Sequence, residues 1–338
     1  MKKTIELIKK FNTLSGPSGY EDEVKEELKK SILKLGIKDI TESSLGSLVV
    51  KIGTGKKKVM LAGHMDEIGV LCTFIDKEGF LRFSPVGGVS KYGLIGTRIQ
   101  FINGVSGIIG SELLKKPEDF SLEKLFIDIG ARDLKSAEEL VPVGTFGVFK
   151  REVDILGTRV AAKAHDDRIG CIVMLEVLER IFKKKLPYTL YFVFTVQEEV
   201  GLRGARVSAY GIEPDFGIAL DVTGTGDTPS GYKMAVKLGG GVAIKVKDSS
   251  IITHPKLKDL LINISKKNKI PYQLEILEYG GTDAGAIHLT KSGIPSTVLS
   301  IPTRYVHSQS ELIDLNDVKA TEDLLEKVLT TPDLGNLK

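Results

Sequence analysis

The chain reads as an α/β protein, a helix-covered, mostly parallel sheet domain with an inserted small all-β, barrel-like module. Three observations predict this. From about residue 160 onward, helical periods alternate with continuous apolar runs, the pattern of strands buried between helices. Between residues 68 and 158, short apolar runs separated by Gly and Pro replace any sustained helical period, which is the texture of a barrel or sandwich. At 338 residues, the chain is long enough to bury more than one core. The expected division is therefore 1–67 and 159–338 for the sheet domain, with 68–158 as the insertion.

Each element has a local reason. Ile5, Leu7, Ile8, Phe11 and Leu14 mark one face of a first short helix, while Glu6, Lys9 and Lys10 stand where a signal peptide needs apolar residues. Ser18-Gly19-Tyr20-Glu21 has the form of a capping box with Ser18 as N-cap. The helix after it should bury Val24, Leu28 and Ile32 and stop at Gly36. A strand or hairpin follows over 39–52, then a strand over Val59–Ala62.

Module strands are expected at Val70–Ile75, Phe80–Phe83, Arg98–Ile102, Gly107–Ile109, Leu125–Ile129 and Phe146–Phe149, with one helix near Ser136–Leu140. Beyond it come a long helix (Asp167–Lys184) and a strand apolar on both faces (Tyr188–Val196). Strands at Phe216–Leu220, Tyr272–Leu277 and Thr297–Ile301 alternate with helices at Pro255–Asn268, Asp283–Lys291 and Leu315–Thr330.

Composition excludes several classes of function. Lys and Arg total 47 against 44 Asp and Glu, a net charge of +3, which gives no electrostatic case for nucleic acid or an anionic membrane. No stretch reads as a membrane span. Cys72 and Cys171 form no C-x-x-C pair, which excludes a disulfide scaffold and a thiolate zinc site; they are expected as buried, reduced thiols in a cytoplasmic protein. Phosphate-loop, dinucleotide, nucleophile-elbow and H-E-x-x-H motifs are missing. Gly87-Gly88 and Gly239-Gly240-Gly241 read as loop hinges.

Four polar stretches and one later His stand at strand ends or helix starts. Gly63-His64-Met65-Asp66 follows the strand Val59–Ala62. His-x-Asp is common by chance, yet here the pair can project together, with His on a metal and Asp on the other ring nitrogen. In His165-Asp166-Asp167, one Asp is explained as a helix cap and the second is not; a carboxylate there can bridge two cations. Gln197-Glu198-Glu199 leaves the most apolar strand, where adjacent carboxylates need solvent or positive charge. Asp221 ends the strand Phe216–Leu220, and His307 follows Thr297–Ile301.

As a set, two imidazoles and three carboxylates can hold two divalent cations and leave one carboxylate free to take a proton. Nitrogen and oxygen donors without thiolate suit Zn, Co or Mn. The other histidines are left out of the set: His165 adjoins the site without serving as a ligand, His254 reads as a surface or cap residue, and His288 as structural.

The order His-x-Asp, Asp-Asp, Glu-Glu, Asp, His resembles the dinuclear co-catalytic metallopeptidases of the aminopeptidase/carboxypeptidase clan. Within it the match is closest to the tetrahedral (TET) aminopeptidases, also known as glutamyl or deblocking aminopeptidases. Stretches 16–21 (GPSGYE), 62–69 (AGHMDEIG), 164–170 (AHDDRIG), 197–205 (QEEVGLRGA), 219–223 (ALDVT), 278–284 (EYGGTDA) and 306–308 (VHS) carry it along the whole chain. About 100 residues separate His64 from Asp166, and the β module falls in that gap, as in the TET plan; in the related deacylases the extra domain follows the fourth ligand.

The resemblance implies two divalent metal ions, Zn or Co first and Mn behind them. His64 and Asp221 would hold one and Glu199 and His307 the other. Asp166 would bridge them, next to a cis peptide to Asp167. Asp66 would orient His64, Glu198 would be the general base, and Gly280, Gly281, Thr282 and Asp283 would line the substrate pocket. It also implies peptide substrates with a free N-terminus and self-association through the inserted module into a dodecamer. An N-acyl amino acid deacylase, a metal-free cellulase and a peptide-binding particle with a vestigial site remain the competing readings.

Overall fold

The computed structural model describes residues 1–336. Two helices, α1 (Lys2–Phe11) and α2 (Asp22–Lys34), lead into strands β1 (Ile40–Glu42), β2 (Leu48–Ile52) and β3 (Lys58–His64). Six strands then close on themselves: β4 (Gly69–Ile75), β5 (Leu81–Val86), β6 (Arg98–Phe101), β7 (Ser106–Ser111), β8 (Leu125–Asp128) and β9 (Phe146–Phe149), with α3 (Leu134–Leu140) between the last two. They run antiparallel in the order β4-β5-β8-β7-β6-β9 around their own core of Val70, Leu81, Ile99, Phe101, Ile127 and Val141.

The chain returns through β10 (Asp154–Leu156), β11 (Arg159–Ala162), α4 (His165–Ile181), β12 (Thr189–Thr195), α5 (Arg203–Ile212) and β13 (Phe216–Thr223). It finishes with β14 (Val242–Lys247), α6 (Pro255–Asn268), β15 (Tyr272–Ile276), α7 (Asp283–Ile287), β16 (Ser296–Arg304), β17 (Glu311–Asp314) and α8 (Leu315–Thr330). The main path of the large sheet is β1-β2-β12-β3-β13-β16-β17-β11-β10, with β14 and β15 branching from β16. Its centre, β12-β3-β13-β16, is parallel, and antiparallel strands flank it.

Strand alternation decides which helices cover which face. On β3, Val59 and Leu61 join the large core with α1, α2, α4 and α8, while Met60 and Ala62 face the smaller core with α5 and α7. Helix α4 is buried nearly all round because it lies between the sheet and the outer helices α1 and α8.

Several expectations are corrected. Ser18 caps no helix: α2 begins at Asp22 with Glu21 as N-cap, and the Ser18 hydroxyl donates instead to Asp66 at 2.6 Å. Asp221 lies inside β13, because Val222 and Thr223 continue the ladder against Ile301 and Pro302. Helix α7 ends at Ile287 rather than at residue 291. β10 lies in the range expected for the inserted module, yet it pairs with β11 in the large sheet.

Helix α5 has no counterpart in the sequence reading, for a physical reason. Its buried face is Gly204, Ala205, Ser208 and Ala209, small residues that leave no apolar period to read. Gly204 is required there, since a Cβ would sit 2.5 Å from the Val196 carbonyl oxygen.

Candidate metal centre

Parallel strands bring their C-terminal ends to one edge, and that edge carries the site. In the β12–β3 register Thr195 lies opposite His64, so the chain leaving β12 delivers Glu198 and Glu199 beside the end of β3. Ala62 lies opposite Ala219, which puts Asp221 level with His64. His307 comes from the β16–β17 connection, and Asp166 from the irregular start of α4, where the Asp166–Asp167 peptide is cis. Both Asp166 and Asp167 depart from helical dihedrals, so the regular helix begins only after them.

Asp166 sits between the two histidines. Its Oδ1 is 3.0 Å from His64 Nε2, and its Oδ2 is 3.2 Å from His307 Nε2. Glu199 Oε2 lies 3.4 Å from the same His307 nitrogen. His64, Asp166 and Glu199 each offer a donor atom within 4.8 Å of the other two, a grouping that could hold an ion. Asp221 lines the same cavity of about 430 Å³, together with Asp166, Glu198, Glu199 and His307.

The donor set fits cations. His64 Nδ1 faces the backbone carbonyl of Asp66 at 3.1 Å, which can only accept, so this nitrogen carries the ring hydrogen. The Nε2 lone pair is then aimed at a carboxylate oxygen, an arrangement that needs a proton or a cation between them. Glu199 Oε1 is buried without a hydrogen-bond partner among the described residues. Burial, reinforced by Asp166, pushes the Glu199 carboxyl up to about 8 and Asp221 well above its ordinary range. Burial also raises Glu198, against the pull of His64, with Asp221, Asp283 and Glu199 adding to the rise. Three carboxyls that resist ionisation side by side are what bound positive charge would relieve.

Asp66 organises the site from below. Its carboxylate accepts the backbone N–H groups of Glu198 (3.0 Å) and Glu199 (3.2 Å) and the Ser18 hydroxyl, with Oδ1 also 3.5 Å from His64 Nδ1. Of the expected pocket residues, Gly280 and Gly281 line the cavity. Thr282 and Asp283 are buried, and Asp283 accepts a hydrogen bond from the Thr195 hydroxyl. His165 is fully buried: Asn12 donates to its Nδ1 side at 3.2 Å, and its Nε2 faces the Val160 carbonyl. His288 bonds the Ala284 carbonyl within its own helix turn.

Two contributions escape sequence reasoning. Glu311, buried on β17, accepts the N–H of Asp166 at 3.0 Å and the N–H of His307 at 2.9 Å, so one carboxylate sets the backbone of two donors. It lies four residues after His307, and that proximity is its only signal. Gly87-Gly88, read as a hinge, is a contact: a Cβ on Gly88 would lie 2.4 Å from His307 Nδ1, and one on Gly87 3.0 Å from Glu199 Oε2. The barrel thus presses a side-chain-free loop against the site.

The model of the M42 glutamyl aminopeptidase family matches residues 46–324. The chain belongs to that family. Membership places it among aminopeptidases, hydrolases of peptide bonds. A protein of Acetivibrio thermocellus is 49% identical over 326 residues, spanning 96% of this chain and 98% of that one. The lysyl aminopeptidase of Pyrococcus furiosus is 36% identical over 337 residues, 96% of each chain. The TET1 peptidase of Pyrococcus horikoshii, which can assemble into a tetrahedron or a large octahedral shell, superposes with a TM-score of 0.88 at 35% identity, covering 96% of this chain and 99% of that one. Among the described residues, no helix is long and apolar enough to cross a membrane.

Proposed function

We propose that this chain is a metal-dependent aminopeptidase that removes N-terminal residues from peptides, with a dinuclear centre and Glu198 as general base. The observation that carries the reading is the Asp166 carboxylate, with one oxygen turned to each of the two histidines. In this reading His64 and Asp221 hold one divalent cation, Glu199 and His307 hold the other, and Asp166 serves both. Zn or Co suits the donors best, with Mn behind them. When bound, such a pair polarises a carbonyl and lowers the pKa of water.

The protein's own part is positional and acid–base. Asp66 holds the His64 ring and the Glu198 main chain in one arrangement. Glu198, half-buried on the cavity wall, accepts a proton from the attacking water and passes it to the leaving amine. Glu198→Gln is expected to retain both metals and the fold while losing nearly all hydrolysis; turnover near the normal rate would refute the assignment. Peptides with free and acetylated N-termini separate an aminopeptidase from a deacylase.

The barrel within 68–158 is the proposed assembly domain, and a dodecamer the proposed state, on the model of the relative that forms a tetrahedron. Phe74, Tyr92, Ile95, Ile108 and Leu113 of this segment are exposed apolar side chains of the kind that association covers. Light scattering tests this, and a stable monomer would overturn it. Two buried free thiols fit a cytoplasmic setting.

A further inference from the structure

The cavity above the donors has two chemically different parts. Asp166, Glu198, Glu199, Asp221 and His307 make the ionisable part. The remainder is lined mainly by Leu202, Leu277 and Val306, with Thr223 as its neutral polar side chain and backbone at Gly280 and Gly281. Among the described residues, no lysine or arginine lines it. Lys245 is close enough to act on Asp221, but it is fully buried and committed to Glu275 and to Asp248, the latter at 3.3 Å.

From this wall we infer that the enzyme selects substrates whose N-terminal side chain is apolar, of the leucine, methionine or phenylalanine class, over glutamyl and lysyl ones. The inference rests on the aminopeptidase reading and names the substrate class for that same site. Family membership does not decide the matter, since the family is described as glutamyl and one relative is a lysyl enzyme.

The chemistry runs through desolvation. A glutamyl carboxylate placed against Leu202, Leu277 and Val306 would leave water without gaining a cation, and Thr223 offers the cavity's one neutral side-chain hydroxyl among the described residues. A lysyl ammonium would need a free carboxylate, and in the proposed reading those of the cavity would be taken up by the metals or by proton transfer. An aliphatic side chain meets neither cost, and each methylene it buries contributes roughly a fourfold gain.

The test uses the full-length, metal-loaded protein and the p-nitroanilides of Leu, Met, Phe, Glu and Lys at one pH. The leucyl substrate is expected to exceed the glutamyl and lysyl ones in kcat/KM by on the order of 10²-fold. Leu277→Arg, which puts a cation into the wall, is expected to raise the glutamyl-to-leucyl ratio at least about tenfold. On Glu198→Gln protein, calorimetric titration with Leu-Gly-Gly and Glu-Gly-Gly should give the same order of preference as affinity. Glutamyl or lysyl hydrolysis as fast as leucyl, or faster, overturns this inference and leaves the aminopeptidase reading intact. Absence of turnover on every unblocked aminoacyl substrate overturns both.

Discussion

The Asp66 carboxylate accepts the backbone N–H of Glu198 at 3.0 Å, joining the end of one parallel strand to the segment that leaves its neighbour. Through this bond, a residue that contacts the His64 ring also sets where the proposed base stands.

Asp66→Asn places an amide NH2 where a carboxylate oxygen now accepts a hydrogen bond. Both Asp66 oxygens are in use, so one of the Glu198, Glu199 or Ser18 donors is left facing another donor. kcat/KM is expected to fall about 10–100-fold, the usual cost of losing a partner that orients a ligand. Steady-state kinetics with far-UV circular dichroism checks this; full activity in a folded variant would show that Asp66 positions nothing of consequence.

Gly88→Ala should disturb His307 specifically. The added methyl carbon would lie 2.4 Å from His307 Nδ1, far inside contact distance, and the ring or the barrel loop must move. Metal content measured by mass spectrometry should drop from two ions per chain toward one, with the barrel and sheet still folded. Retention of two tightly bound ions would mean that the loop yields and the histidine does not.

Chelation should lower thermal stability as well as activity. Removing bound cations leaves Glu198, Glu199 and Asp221 crowded in a cavity where burial already disfavours their charge. A fall in Tm on adding EDTA, restored by Zn or Co but not by Na, is the expected result. An unchanged Tm would argue that no ion is held there.

A buried ion cluster behind the site gives a pH signature. Lys163 Nζ lies 2.6 Å from both oxygens of Glu67, whose Oε1 is also 2.8 Å from Arg168. Burial, only partly opposed by Glu67, lowers Lys163 from 10.5 to about 8, and Arg168 adds to the fall. The folded state therefore gives up this proton before the unfolded state does. The contribution of Lys163 to stability is smallest below pH 8, grows between pH 8 and 10.5, and is complete above that. Urea unfolding of wild type and Lys163→Met at pH 7 and 9.5 should show the gap between them widening by about 1–2 kcal/mol at the higher pH. A gap that stays constant would contradict this.

Much of the fold is legible locally. Helices Pro255–Asn268 and Leu315–Thr330 stand where the sequence period puts them, and each of the six barrel strands overlaps an apolar run expected as a strand. The elements that escape notice are those whose pattern is set by distant neighbours. The small-residue face of α5 is explained only by its closeness to the β12 chain end, and β11 takes as its antiparallel partner β17, which lies near the other end of the sequence. Ser18 misleads for a related reason: its hydroxyl has a better acceptor 48 positions away than the local helix offers.

By itself, the sequence determined the types of element, the family, and the short list of residues able to bind cations, because period and motif are properties of neighbouring residues. Only the tertiary structure decided the meeting of His64 with Asp166 across 102 positions, the double duty of Glu311, and the contact of Gly88 with His307. Those depend on the register of parallel strands and on where a closed barrel sets its loop, and neither is encoded within any one window of the chain.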